Sequence, residues 1–146
     1  MNATYTRALG LLILSCVVAQ SFARAQDTTP ATEPEGMMGD VTGAHIYEQL
    51  CQGCHMPDGR GATGAGRYPS FAGSPAVASS HYMAVTILQG RGNMPSFAKP
   101  EHHEHFFPPT WLTDAQVADV INHIRTNFGN HHTDPITAEE VRALHP

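Results

Sequence analysis

Cysteine is scarce in this chain, with three in 146 residues, at Cys16, Cys51 and Cys54. Basic side chains are scarce too: 8 Lys and Arg stand against 13 Asp and Glu, a formal charge of −5. That balance gives no electrostatic case for binding nucleic acid or an anionic membrane surface. Long apolar runs are missing. The one candidate, Ala8 to Ala19, is too short to cross a bilayer, so no transmembrane helix is expected in the mature chain. Strand-like alternation and internal repeats are also absent, which points away from β and solenoid folds.

The short apolar run follows Arg7 and precedes Ala23-Arg24-Ala25, a small-x-small site. Residues 1–25 are therefore expected to be a secretory signal cut between Ala25 and Gln26, sending the protein to the periplasm. Cys16 leaves with it; the competing expectation is a lipoprotein in which Cys16 is lipid-modified and becomes the new N-terminus. After cleavage, six of the eight basic side chains face all thirteen acidic ones, a formal charge of −7. Residues 26–39, rich in Thr, Pro, Glu and Gly without hydrophobic period, are expected to be a flexible segment. Residues 40–146 are the expected domain.

The two remaining cysteines stand in Cys51-Gln52-Gly53-Cys54-His55. On a helical turn, i,i+3 and i,i+4 spacing sends all three side chains out of one face. That suits one covalently attached haem c, with thioethers from Cys51 and Cys54 and His55 as proximal ligand. Other uses of the motif fit less well. A thioredoxin-like pair needs a βαβ context, and a zinc site needs a second ligand pair, for which the distant His102, His103 and His105 are available.

Helical signals begin at Asp40, a candidate N-cap, and continue through Ile46, Tyr47 and Leu50 into the motif. Gly59 to Gly66 lacks the strand and Lys-Ser/Thr ending of a nucleotide loop, so these glycines are expected to let backbone pass close to the haem edge. A helix from Ser80 carries Ala84, Val85 and Leu88 and is stopped by Gly90. Thr113 to Gln116 forms a capping box before the stripe Val117, Val120, Ile121, Ile124 and Phe128, which Gly129 closes. Thr137 to Glu140 opens a short last helix with Val141 and Leu144. The expected fold is all-α with long loops.

For the iron's sixth position Met94 is the choice, because Gly90-Arg91-Gly92-Asn93-Met94-Pro95 is an irregular loop stiffened by Pro95. Met56 is held to the proximal side by its neighbour His55. Met83 falls inside a helix, and Met37 and Met38 belong to the tail. His81, His102, His103 and His105 are the rivals, and would give a bis-histidine haem of lower potential.

The motif, with Gly43 eight and Tyr47 four residues before Cys51, resembles class I cytochromes c from Gly43 to about Phe128. The resemblance implies a cytochrome c fold in which the first helix crosses the last at Gly43. It also implies that Pro69 offers its carbonyl to the ring nitrogen of the ligand histidine. More narrowly, Tyr68-Pro69-Ser70-Phe71-Ala72-Gly73-Ser74-Pro75, the Met94 loop and the last helices resemble cytochrome subunits of bacterial periplasmic alcohol and sugar-acid dehydrogenases. Two departures stand out. His123 replaces the usual aromatic of the last helix, and residues 99–110 carry a long His/Glu segment that offers a metal or partner contact or, more plainly, a solvated loop anchored by Phe106, Phe107 and Trp111.

The expectation is a monohaem periplasmic electron carrier, not an enzyme. It would act as the electron-accepting subunit or partner of a periplasmic dehydrogenase and pass electrons to a downstream oxidase or cytochrome. Phe71, Ile87, Leu88, Phe97 and Val120 would enclose the haem, and Arg60, Arg67 and Arg91 would steer docking. A freely diffusing donor to a terminal oxidase or reductase is the first alternative; a haem-based small-molecule binder with displaceable Met94 is the second.

Overall fold

Thr42, not Asp40, caps the first helix: its Oγ1 accepts the His45 N–H at 3.3 Å. Asp40 lies upstream of the helix start, next to Gly39, whose carbonyl accepts from the Gln116 side-chain amide at 2.8 Å. The computed structural model describes residues 36–64, 66–101 and 109–146, all within the unit Thr32–Pro146. The expected signal segment with Cys16, most of the expected flexible segment, and His102, His103, His105, Phe106 and Phe107 lie outside the described residues. No helix of the described residues is long and apolar enough to cross a membrane.

Helix α1 (Gly43–Ile46) widens into a π-helical turn (Tyr47–Cys51) and tightens again into α2 (Gln52–His55). A widened turn inserts one extra residue per turn and so re-aims the side chains that follow it, here those of the Cys-x-x-Cys-His motif. Helix α3 (Pro75–Ala78) starts on a proline whose missing N–H needs no partner there. Helix α4 is Ser80–Gln89, α5 is Asp114–Thr126 and α6 is Ala138–Arg142.

Helix α5 is the spine against which α1, α4 and α6 pack. Both halves of its capping box form, Gln116 N–H to Thr113 Oγ1 at 3.2 Å and Thr113 N–H to Gln116 Oε1 at 3.0 Å. Val117, Val120, Ile121 and Ile124 are buried along its inner stripe, each contributing roughly 1.5–3 kcal/mol by leaving water. Met83, Ala84, Ile87 and Leu88 of α4 complete the wall, so Met83 serves the core. The crossing with α1 depends on Gly43, where an added Cβ would stand 2.1 Å from the Asp119 carbonyl oxygen. Gly43→Ala must push two backbones apart, and a loss of about 2–3 kcal/mol is expected by chemical denaturation. An unchanged midpoint would show that the helices separate freely.

Two further features differ from the sequence expectation. A small antiparallel hairpin is present, β1 (Ala62–Thr63) on β2 (Arg67–Tyr68), with Ala62 opposite Tyr68 and Thr63 opposite Arg67. Two-residue strands carry no readable alternation, so nothing in the pattern announced them. Helix α5 also stops at Thr126, before Phe128. The Thr126 hydroxyl and the Asn127 amide bond back to the carbonyls of Asn122 and His123, and Phe128 turns to φ +56°.

Beyond Phe128 the chain doubles back along α5. Arg125, on the buried face of α5 and only 1% exposed, donates from Nε to the Val77 carbonyl at 3.2 Å and from Nη2 to the Ala78 carbonyl at 3.3 Å and Asp134 Oδ2 at 2.8 Å. Its Nη1 reaches the Asp134 carbonyl. Asn122 pairs both ways with the Ile136 backbone at 2.9 Å. The Asp134 side chain is 76% exposed, so water screens the ion pair and the buried carbonyls dominate. Arg125→Met is expected to cost about 3 kcal/mol in denaturant, since it strands acceptors in the core. Asp134→Ala should lose clearly less, and equal losses would refute this division.

Candidate functional site

The Cys-x-x-Cys-His motif sits where the π-helical turn hands over to α2. Both thiols are free, with Cys51 half-buried and Cys54 exposed. Burial, with Cys54 adding to it, pushes the Cys51 thiol up to about 12. A redox-active dithiol needs the opposite shift, toward thiolate, so this environment argues against thioredoxin-like chemistry.

His55 is fixed from two sides. Its ring stacks on Phe71 with centroids 4.5 Å apart, and its Nδ1 lies 3.2 Å from the Pro69 carbonyl oxygen. A carbonyl can only accept, so Nδ1 carries the proton and Nε2 keeps its lone pair. Among the described residues, none bonds to Nε2. Burial lowers the His55 pKa, partly opposed by the Pro69 bond, and a neutral imidazole is the form that binds a metal. Pro69 is brought there by the hairpin, whose approach is tied by Gly61 N–H to the His55 carbonyl at 3.0 Å and by Phe71 N–H to the Gly59 carbonyl at 2.8 Å.

Tyr47 underpins the motif. Its hydroxyl donates to the Met56 carbonyl at 2.6 Å, and burial, followed by Cys51 and Asp58, raises its pKa to about 12, which keeps the donor proton in place. Its ring meets Phe128 at 4.6 Å and His123 at 5.9 Å. His123 thus takes the helix-crossing aromatic position. Burial lowers its pKa against the pull of Glu48. The part played by Phe128 through its reversed backbone was not legible in the sequence.

Met94 is half-buried and packs against the core with Phe97 and Leu50. Phe71, Ile87, Leu88 and Val120 are buried in that core. Of the other methionines, Met83 is inside the core and Met37 half-exposed, while Met38, expected in the flexible segment, is half-buried against the same core. His81 is exposed. Among the described residues no cluster of three or more His, Cys, Asp or Glu could hold a metal. An open polar cavity of about 530 Å³ borders Pro69, with Arg60, Thr63, Arg67, Tyr68 and Ser74 on its walls.

The sequence profile of the family described as cytochrome c matches residues 41–128. This chain belongs to the cytochrome c family. The cytochrome is 32% identical over 117 residues to the cytochrome c subunit of the quinone alcohol dehydrogenase of Gluconacetobacter polyoxogenes, covering 75% of this chain and 23% of that protein. It is 34% identical over 116 residues to the gluconate 2-dehydrogenase cytochrome c subunit of Pantoea cypripedii, covering 70% and 24%. Cytochrome c-552 of Thermus thermophilus is 31% identical over 116 residues, 73% of this chain and 76% of that protein. The chain thus spans only about a quarter of the length of the dehydrogenase subunits it matches.

Membership brings covalently bound haem c and a role in electron transfer. The chemistry of the donor set fits that group: two free thiols three residues apart, a neutral imidazole presenting one lone pair, a half-buried thioether and an apolar wall. When bound, haem supplies an iron that cycles between ferrous and ferric states. The residues around it hold, orient and shield.

Proposed function

We propose that Cys51 and Cys54 attach the haem through thioethers, that His55 and Met94 are its axial ligands, and that the Pro69 carbonyl sets the orientation of His55. The protein then acts as a periplasmic one-electron carrier taking electrons from a dehydrogenase. The observation that carries this is the His55–Pro69 contact, which commits Nδ1 and leaves Nε2 directed to another partner. With both axial positions filled, no site remains for a substrate, so transfer is outer-sphere. The likeness to cytochrome subunits of alcohol and gluconate dehydrogenases supports the partner class. Arg60, Arg67 and Arg91 are exposed on an otherwise acidic chain and would meet an acidic patch on the partner in a small, short-lived contact.

The fuller coverage of cytochrome c-552 favours a second reading, a freely diffusing donor to an oxidase or reductase. Purification from native membranes and periplasm decides between them. A dehydrogenase co-eluting in fixed ratio supports the subunit role, and a monomer that elutes alone supports the diffusing one. Mass spectrometry of the same material tests export and attachment together. A polypeptide starting at Gln26 with one haem added is expected; a chain retaining residues 1–25 would overturn the proposed route.

A further inference from the structure

The loop carrying Met94 is held at several points to α4. It leaves the helix through Gly90, whose φ of +74° and bare Cα are both needed: a Cβ there would stand 2.7 Å from the Met94 carbonyl oxygen and 2.8 Å from the Ser96 nitrogen. Arg91 and Met94 then close on each other, each N–H donating to the other's carbonyl at 3.0 Å. Past the methionine, Ser96 Oγ donates to the Leu88 carbonyl, and Phe97 N–H to the Ile87 carbonyl at 2.9 Å.

The outer side of the turn has its own tie. The Arg91 guanidinium donates to the Tyr82 hydroxyl and lies 5.7 Å from the centre of the Tyr82 ring. Tyr82 is 41% exposed, while its helix neighbours Met83 and Ala84 are in the core. The phenol is therefore an anchor on a rigid element. On the opposite flank the hairpin closes in, Gly66 lying so near Asn93 that a Cβ would stand 2.8 Å from the Asn93 side-chain nitrogen.

We propose that Tyr82 and Arg91 are positioning residues for Met94: together they hold the Arg91–Met94 turn shut and thereby slow exchange of the distal ligand. This rests on Met94 as axial ligand. A competitor for the iron binds with its intrinsic affinity multiplied by the fraction of time the sulfur is away, so loosening the turn raises apparent affinity directly. The pair is exposed and adds little to global stability. Its loss should therefore register in ligand exchange while leaving the unfolding midpoint where it was.

Imidazole titration of the ferric holoprotein tests this, with thermal unfolding run alongside. Tyr82→Ala and Arg91→Ala are expected to raise the imidazole association constant about three- to tenfold, and Tyr82→Phe, which removes the hydroxyl acceptor alone, should raise it too. In a Met94→Ala background, Tyr82→Ala should change nothing further. An unchanged affinity in both single alanine variants overturns the proposal, as does an equal rise in the Met94→Ala background, which would mean wider access rather than ligand release. If Met94→Ala itself leaves the parent affinity untouched, the axial assignment has failed and the clamp falls with it, an outcome that the parallel titrations separate from failure of the clamp alone.

Discussion

Replacing Cys51 and Cys54 together by alanine is expected to yield protein with no pigment after denaturation and a mass equal to the bare polypeptide. Attachment through two thioethers makes every later contact of the ring with the chain intramolecular, at an effective concentration no dissociated haem can match. Without it, only the axial side chains and the apolar wall would retain the group. The wall itself should suffer, because Phe71, Met83 and Ile87, each 7–8% exposed, would lose apolar surface that they bury only in the folded state. A large fall in unfolding midpoint should accompany the loss of colour. Cys54→Ala alone should keep a single-thioether pigment, since Cys51 is the more enclosed of the two thiols. Pigment that survives denaturation in the double variant would place the attachment elsewhere and end the assignment.

Local rules made much of this fold legible. The capping boxes at Thr113 and Thr137 form with both reciprocal bonds, because each needs only residues three apart. The close approach at Gly43 was expected only through the family resemblance, and its physical ground is that an added Cβ would meet the Asp119 carbonyl. What escaped was set by distant partners. Arg125 looks like a solvated helix charge until the Val77 and Ala78 carbonyls and the returning Asp134 are placed around it. Asn130, also buried, accepts the Gly73 N–H and donates to the Ile124 and Asn127 carbonyls, contacts no linear pattern announces. The end of α5 was misjudged because an apolar stripe marks which side chains are buried, whereas Phe128 reaches the core from a reversed turn.

The candidate site divides in the same way. Cys51, Cys54 and His55 were readable because spacing alone puts them on one turn, and the widening at Tyr47–Cys51 modifies that geometry without breaking it. Pro69 came only through the family resemblance. The structure supplies its physical ground, since the hairpin and its Gly61 tether deliver that carbonyl to His55. The exposed Tyr82 gave no sign in the sequence of its contact with Arg91.

Met94→Ala should separate sulfur ligation from every rival. The ferric protein is expected to lose its weak red charge-transfer band, and the reduction potential should fall by on the order of 100 mV, a modest part of the range that axial ligands span in haem proteins. The direction follows from ligand softness, since thioether and water are both neutral. A neutral, polarisable thioether among buried apolar residues such as Ile87 and Leu88 favours the ferrous state, and its replacement by water relieves the penalty on the ferric one. Carbon monoxide should then bind the ferrous variant readily at neutral pH and the parent poorly. Met56→Leu is the matching control: Met56 follows His55 directly, at φ +66°, and cannot supply the opposite face. A band and potential that persist in Met94→Ala, or that vanish in Met56→Leu, would move the distal ligand to another side chain.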